Sequence, residues 1–350
     1  MSLREAKTGG GDNLEIRLSS GGKGLSCSCE FSAGLPEDYL LLEPSQKKMI
    51  RSVAIVGTGA VGSYYGCRIS NEGYEVRFLL RSDFEAVSER GFEIESYQGD
   101  FALRDPQIYQ NSEEIGPVDL VLVCWKATAN PHAAEVISPL LHEKTRILTL
   151  QNGLGNVEHL DGLFGADRVL GGLCLVCLNR LEPGKIRHQR NVKDGITIGE
   201  LGKSEVLAEL SSVFGPFVQI GTTDNLALAQ WRKLFWNVPF NGFCITEGGV
   251  DTEELLKLPG MKQRIEDLLV ELQQGAKACG FSIADKFVFQ QVPFTESLGA
   301  YHPSSLLDYL QGNSVEYEAI WGEPLRRCEA AGAEMPLLNA LCAKLQSSLE

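Results

Sequence analysis

Two apolar patterns succeed one another along this chain. Between residues 50 and about 220, short apolar-rich runs at 53–56, 74–80, 119–124 and 146–150 read as strands buried on both faces, which is the signature of a parallel sheet. Helical stretches follow the first run and fill 126–141, and more strand-like segments come at 168–178, 185–188, 195–198 and 217–220, with a short helix near 204–214. From about Asp224 the apolar residues recur at helical spacing almost to the end, with Gly280, Gly312 and Gly332 as helix stops and Pro336 barring continuation past its loop. The pattern predicts an α/β domain over 49–222 and a helical domain over 223–350. Residues 1–48 lack periodicity and carry GGG at 9–11 and SSGGKG at 19–24, so they read as a flexible extension dispensable for chemistry.

Composition narrows the class. The 350 residues are 43% hydrophobic and 22% charged, an ordinary globular balance. A formal net charge of −14 argues against nucleic acid or an anionic membrane as the main partner, so any anionic ligand must be met by local positive groups. No run approaches a transmembrane span, and the first thirty residues lack a secretory apolar core. Ten scattered cysteines fit a reducing compartment, the cytoplasm or, if the extension is a targeting segment, an organellar stroma. Cys27 with Cys29 and Cys174 with Cys177 are local pairs; the second lies in GGLCLVCL, which reads as a buried strand with core thiols, against a metal or redox role, and no metal site is expected.

The richest stretch is 52–66, SVAIVGTGAVGSYYG. A strand, three glycines at GxGxxG spacing and a helix follow in that order. Gly57 permits the tight turn, Gly59 lets backbone approach a pyrophosphate, and Gly62 lets helix pack on strand. Thr58, Ala60 and Val61 complete a loop whose free N–H groups and positive helix end face phosphate. At the end of the second strand, where a ribose-binding acid is usual, stands Arg81, which suits a 2′-phosphate and therefore NADP(H). A solvated Arg81 with Asp83 serving the ribose is the competing reading. Lys126 and Asn152 follow the next two strands at their carboxyl ends, where open α/β sheets bind ligands, although a surface lysine and a turn asparagine would look the same.

In the helical half, Lys233, Asn237 and Asn241 recur every four residues, on one face of a helix made apolar by Trp231, Leu234, Phe235, Trp236 and Phe240. A lysine buried there is costly unless it is paired or used, and Pro239 would kink the same helix. The bland alternative is a lysine reaching solvent. Farther on, Ser304, Ser305 and Asp308 precede Gly312, and Glu316 starts a helix after a polar turn. Either serine serves as an N-cap and Glu316 as a first-turn acid on spacing alone.

Taken together, GTGAVGSYYG, the lysine after DLVLVCW, QNGLG, WRKLFWNVPFNGFCIT, SSLLDYLQGNSVEYE and RRCEAAGAEMP resemble the ketopantoate reductase family over about residues 50–350. The resemblance implies a Rossmann-type doubly wound sheet followed by an all-helical domain of the 6-phosphogluconate dehydrogenase type, with the active site between them. It implies NADPH-dependent reduction of 2-dehydropantoate in pantothenate biosynthesis. By the same resemblance Lys233 is the general acid, Asn237 and Asn241 are its companions, and Asn152 and Lys126 serve cofactor and substrate. Arg81 binds the 2′-phosphate, Glu316 a substrate hydroxyl or Lys233, and Ser304 the carboxylate, with Ser305 its rival. The chain departs from the family at Gly242 and Phe243, where Pro-Leu is common, and at Ser305, where methionine is common. These departures are expected to touch the substrate pocket. A reductase of another small 2-oxo acid and a non-catalytic NADP(H) sensor remain as alternatives, and a homodimer is left open.

Overall fold

The computed structural model describes residues 40–41, 50–189, 194–199 and 204–350. Thirteen strands appear in chain order: β1 (Leu40–Leu41), β2 (Ser52–Val56), β3 (Glu75–Leu79), β4 (Phe92–Ser96), β5 (Phe101–Leu103), β6 (Gln107–Tyr109), β7 (Leu120–Val123), β8 (Arg146–Thr149), β9 (Val169–Leu175), β10 (Cys177–Glu182), β11 (Lys185–Gln189), β12 (Gly195–Gly199) and β13 (Gln219–Thr223). The main sheet runs β1-β13-β12-β9-β8-β7-β2-β3-β6. Its parallel part, β6-β3-β2-β7-β8-β9, has the doubly wound order of a Rossmann sheet, with the topological switch between β2 and β7. Val53, Ala54, Ile55 and Val56 are fully buried because helices cover both faces at this centre.

Several expectations change in detail. The run 168–178 is two strands, β9 and β10, and β10 leaves for a second sheet ordered β10-β11-β4-β5. The patterning missed β4, β5 and β6, which are three to five residues long and too brief for a clear period. The helical stretch 126–141 is instead three short turns, Ala127–His132, Ala133–Ile137 and Ser138–Leu140, broken at Pro131 and Pro139. Of the extension, Leu40–Leu41 pairs antiparallel with β13 at the sheet edge; the rest of it, with Cys27 and Cys29, lies outside the described residues.

After β13 the described chain is helical, from Leu226–Trp236 to Pro336–Leu349. Leu226 packs where Gly171 and Gly199 leave room, so the first helix starts against the sheet. Its continuation is a π turn, Asn237–Asn241, around Pro239, and then the helix Gly242–Thr246. Proline has no N–H to donate and its ring crowds the preceding turn, so the helix widens there rather than breaking. A second π turn, Glu318–Gly322, lies close by, with Trp321 Nε1 donating to Val238 O at 2.9 Å. Trp231, Phe235, Phe240 and Trp321 centre this domain's core, which also takes in Leu154 from the sheet domain.

Candidate active site

The glycine loop sits at the carboxyl end of β2. Gly57 has φ +98°, and a Cβ there would lie 2.1 Å from Trp125 N, so only glycine lets this loop abut the loop after β7. A Cβ on Gly62 would lie 2.2 Å from Gly57 O, whereas one on Gly59 would project into open space. Thr58 Oγ1 ties the loop to Leu79 O at 3.0 Å. Ala60 and Val61 begin a helix of twelve residues with no side-chain cap and no acid in its first turn. Its leading N–H groups therefore stay available to an anion, and the loop fits a dinucleotide phosphate. Beyond β3, Arg81 is exposed. Asp83 is buried and accepts from Arg180 Nε at 3.0 Å and Gly184 N at 3.1 Å, so its carboxylate is already engaged.

Four more of the expected residues converge where the carboxyl ends of β7, β8 and β9 meet the helical domain. Lys233 Nζ donates to Asn152 Oδ1 at 2.8 Å and to Cys174 O at 3.0 Å, both on the sheet domain. An ammonium has three donors, so one N–H remains without a partner among the described residues. Asn152 Nδ2 faces Glu316 Oε2 at 3.5 Å, and Glu316 Oε1 accepts from Ala127 N at 2.8 Å. With a donor-only lysine on one side and a carboxylate on the other, the Asn152 amide has only one workable orientation. Burial raises the Glu316 carboxyl above its ordinary value, an effect the Ala127 N–H partly offsets. Lys126 crosses the same gap, meeting Asp308 Oδ1 at 2.7 Å and Ser314 O at 2.9 Å. Burial likewise raises Asp308, with Lys126 opposing it.

The remaining candidates fall on both sides of this cluster. Asn237 is 7% exposed and its amide has no hydrogen-bond partner among the described residues. Asn241 is fully buried, donates to Asn237 O at 3.1 Å and accepts from Ser305 N at 2.8 Å. The π turn rotates it away from the face that spacing alone assigns it, so in this state its amide holds the helix Ser304–Leu310 in place. Of the two serines, Ser304 is exposed and Ser305 is 3% exposed. Ser304 shares a helix face with Asp308, the partner of Lys126. The expectation that Gly242 and Phe243 touch the substrate pocket is corrected. Gly242 packs against Leu341 and Trp321, and Phe243 lies 4.9 Å beneath the Arg264 guanidinium, both in the helical core. Sequence reasoning missed the main-chain groups, Ala127 N–H and the Cys174 and Ser314 carbonyls, because every residue type carries them.

A dinucleotide-fitted loop at the switch point, with a lysine brought by a helical domain to the carboxyl ends of the neighbouring strands, defines a two-domain NAD(P)H-dependent oxidoreductase. The chain matches the family model Ketopantoate reductase PanE/ApbA over residues 53–203 and Ketopantoate reductase PanE/ApbA C terminal over residues 225–348. It therefore belongs to the ketopantoate reductase family. A 2-dehydropantoate 2-reductase of Nostoc sp. is 33% identical over 304 residues, covering 85% of this chain and 94% of that one. A crystal structure of 2-dehydropantoate 2-reductase from Geobacter metallireducens is 40% identical with a TM-score of 0.81, covering 85% of this chain and 99% of that one. A D-mandelate dehydrogenase solved with NADH and anilino(oxo)acetate shares the fold at 20% identity and a TM-score of 0.77, covering 85% of this chain and 98% of that one.

Proposed function

We propose that the chain reduces 2-dehydropantoate to pantoate with NADPH, Lys233 serving as general acid, within the domain limits 49–222 and 223–350. The observation that carries this reading is the Lys233 ammonium, held by two acceptors of the sheet domain with one N–H left over. The nicotinamide, when bound, supplies the hydride to the ketone carbon. Lys233 gives its proton to the carbonyl oxygen as charge develops there, and its fixed cation stabilises that charge. Asn152 keeps Lys233 in line and is itself kept in line by Glu316. The free Asn237 amide and the exposed Ser304 hydroxyl hold the substrate, while Asn241 and Lys126 shape the pocket from behind and across the gap. Glu316 also accepts a hydrogen bond from a substrate hydroxyl once the gap opens. NADPH rather than NADH is favoured by the exposed guanidinium of Arg81 together with the engagement of Asp83 by Arg180 and Gly184. The eight described cysteines are free thiols, which suits a reducing compartment such as the cytoplasm.

The test is NADPH oxidation with ketopantoate, compared with NADH and with a 2-oxo acid lacking the hydroxyl. NADPH-selective turnover of ketopantoate is expected, and Lys233→Ala should lower kcat by about 10² or more. Near-normal kcat in that variant would remove Lys233 from the chemical step.

A further inference from the structure

Beneath the two loops that carry Lys126 and Asn152 runs a buried chain of amides with a fixed direction. Trp125 Nε1 donates to Asn130 Oδ1 at 3.1 Å, and Gln151 Nε2 donates to the same oxygen at 2.8 Å. Asn130 Nδ2 donates to Asn156 Oδ1 at 2.8 Å, and Asn156 Nδ2 donates to Asn152 O at 2.8 Å. Thr149 Oγ1 donates to Gln151 Oε1 at 2.9 Å, so Gln151 is satisfied at both ends of its amide. Asn130, Gln151 and Asn156 are each less than a tenth exposed, and Thr149 is 2% exposed.

The two ends of this chain cannot be reversed. An indole N–H only donates and a peptide carbonyl only accepts, so Asn130 must turn its oxygen toward Trp125 and Asn156 its nitrogen toward Asn152. No flipped arrangement satisfies every member, and in a water-poor interior an unsatisfied member is costly. The chain joins the loop after β7, whose Ala127 N–H donates to Glu316, to the loop after β8, whose Asn152 Oδ1 accepts from Lys233. Among the described residues, none of Asn130, Gln151 or Asn156 hydrogen-bonds Lys233 or Glu316.

We infer that Asn130 and Asn156 are positioning residues for the reduction: through this one-way amide chain they set the Asn152 peptide, and with it the acceptor that aims the Lys233 ammonium. This inference rests on the function proposed above. Misplacing a group that aims a catalytic ammonium acts on the transition state more than on cofactor binding, and small displacements of this kind cost up to about a hundredfold.

Asn130→Asp and Asn156→Asp keep size and reverse the pattern, since a carboxylate has no N–H to pass onward. Each variant is expected to lose about tenfold or more in kcat for ketopantoate while the KM for NADPH stays within about twofold. Trp125→Phe, which removes only the first donor, tests the same chain more gently and is expected to lose about two- to tenfold in kcat. A second readout needs no turnover. The protein has four tryptophans, hence four indole N–H resonances, and the one absent from Trp125→Phe reports on Asn130. That resonance should shift in Asn156→Asp, whose substitution lies two links away.

Unchanged kcat in the folded variants, a kcat loss matched by an equal loss of NADPH affinity, or an unmoved indole resonance would each overturn the positioning role. If Asn156→Asp does not fold, Trp125→Phe with unaltered kcat overturns it as well. Should the unmodified protein reduce no 2-oxo acid, the proposed function fails, and the indole shift still decides whether the chain is coupled.

Discussion

Lys233 draws its meaning from two acceptors that belong to another domain, Asn152 Oδ1 and Cys174 O. Its half-buried amino group is thereby oriented by two uncharged acceptors. Arg81 and Asp83 divide the labour at the end of β3, one exposed and the other locked to Arg180. Arg81→Ala is therefore expected to weaken NADPH binding by roughly 1.5 to 3 kcal/mol, the range for a charged hydrogen bond, with little effect on NADH. Titrating both cofactors by fluorescence checks this, and equal losses would make Arg81 structural. Glu316 carries a pH signature, because its folded carboxyl sits above the ordinary value of 4.5 through burial. Between that value and the raised one the folded protein binds the proton more tightly than the unfolded chain, so stability falls as pH rises through the window. Asp308, also raised by burial, adds a slope of the same sign. Urea unfolding of Glu316→Gln at about pH 5 and about pH 7 should show a flatter pH dependence than the unmodified protein. An identical slope would mean that Glu316 does not titrate in that window.

Among the elements, the QNGLG loop is held closely against the helical domain. Gly153 has φ +84° and lies against the second π turn, where a Cβ would meet Ala319 O at 2.1 Å, and Leu154 N donates to that same oxygen at 2.9 Å. Leu154 then buries itself in the helical domain's core. Gly153→Ala combines a left-handed backbone with a main-chain clash, so a loss of about 2 kcal/mol or more is expected in urea unfolding at unchanged slope. A variant within about 0.5 kcal/mol of the parent would show that the loop can pull away freely. A different element, the second sheet, is pinned by His188, which is fully buried with Nε2 2.9 Å from Asp194 Oδ2 and Nδ1 3.0 Å from Ser96 Oγ. The hydrophobic pattern marked β10 and β11 of this sheet but neither β4 nor β5, and it left no sign of the His188 contacts or of the β4–β11 pairing, which joins residues some ninety positions apart.

For the whole molecule, three of the contacts between the sheet and helical domains involve candidate site residues, while others, such as Arg327 with Glu158 and Leu154 N with Ala319 O, lie outside them. Lys126 to Asp308, Ala127 to Glu316 and Lys233 to Asn152 all cross that boundary, so binding a substrate there competes with closure already in place. The Lys126 and Asp308 side chains are 35% and 21% exposed, which discounts their pair to about 1 kcal/mol or less of stability. Asp308→Asn is accordingly expected to leave the unfolding midpoint nearly unchanged while the ligand-free radius of gyration by X-ray scattering increases. An unchanged radius would assign closure to the remaining contacts. Local chemistry made much of this protein legible in advance. The glycine spacing after an apolar run, the helical spacing of the second half and Arg81 at a strand end are determined within a few residues, where backbone sterics and periodicity act. Folding alone decided which acceptors hold Lys233, that Asn241 turns inward at the π turn around Pro239, that Gly242 and Phe243 pack in the core, and that Asp83 is spent on Arg180. Those outcomes depend on main-chain groups and on partners 60 to 100 residues away, and the spacing of side-chain types along a chain carries no information about either.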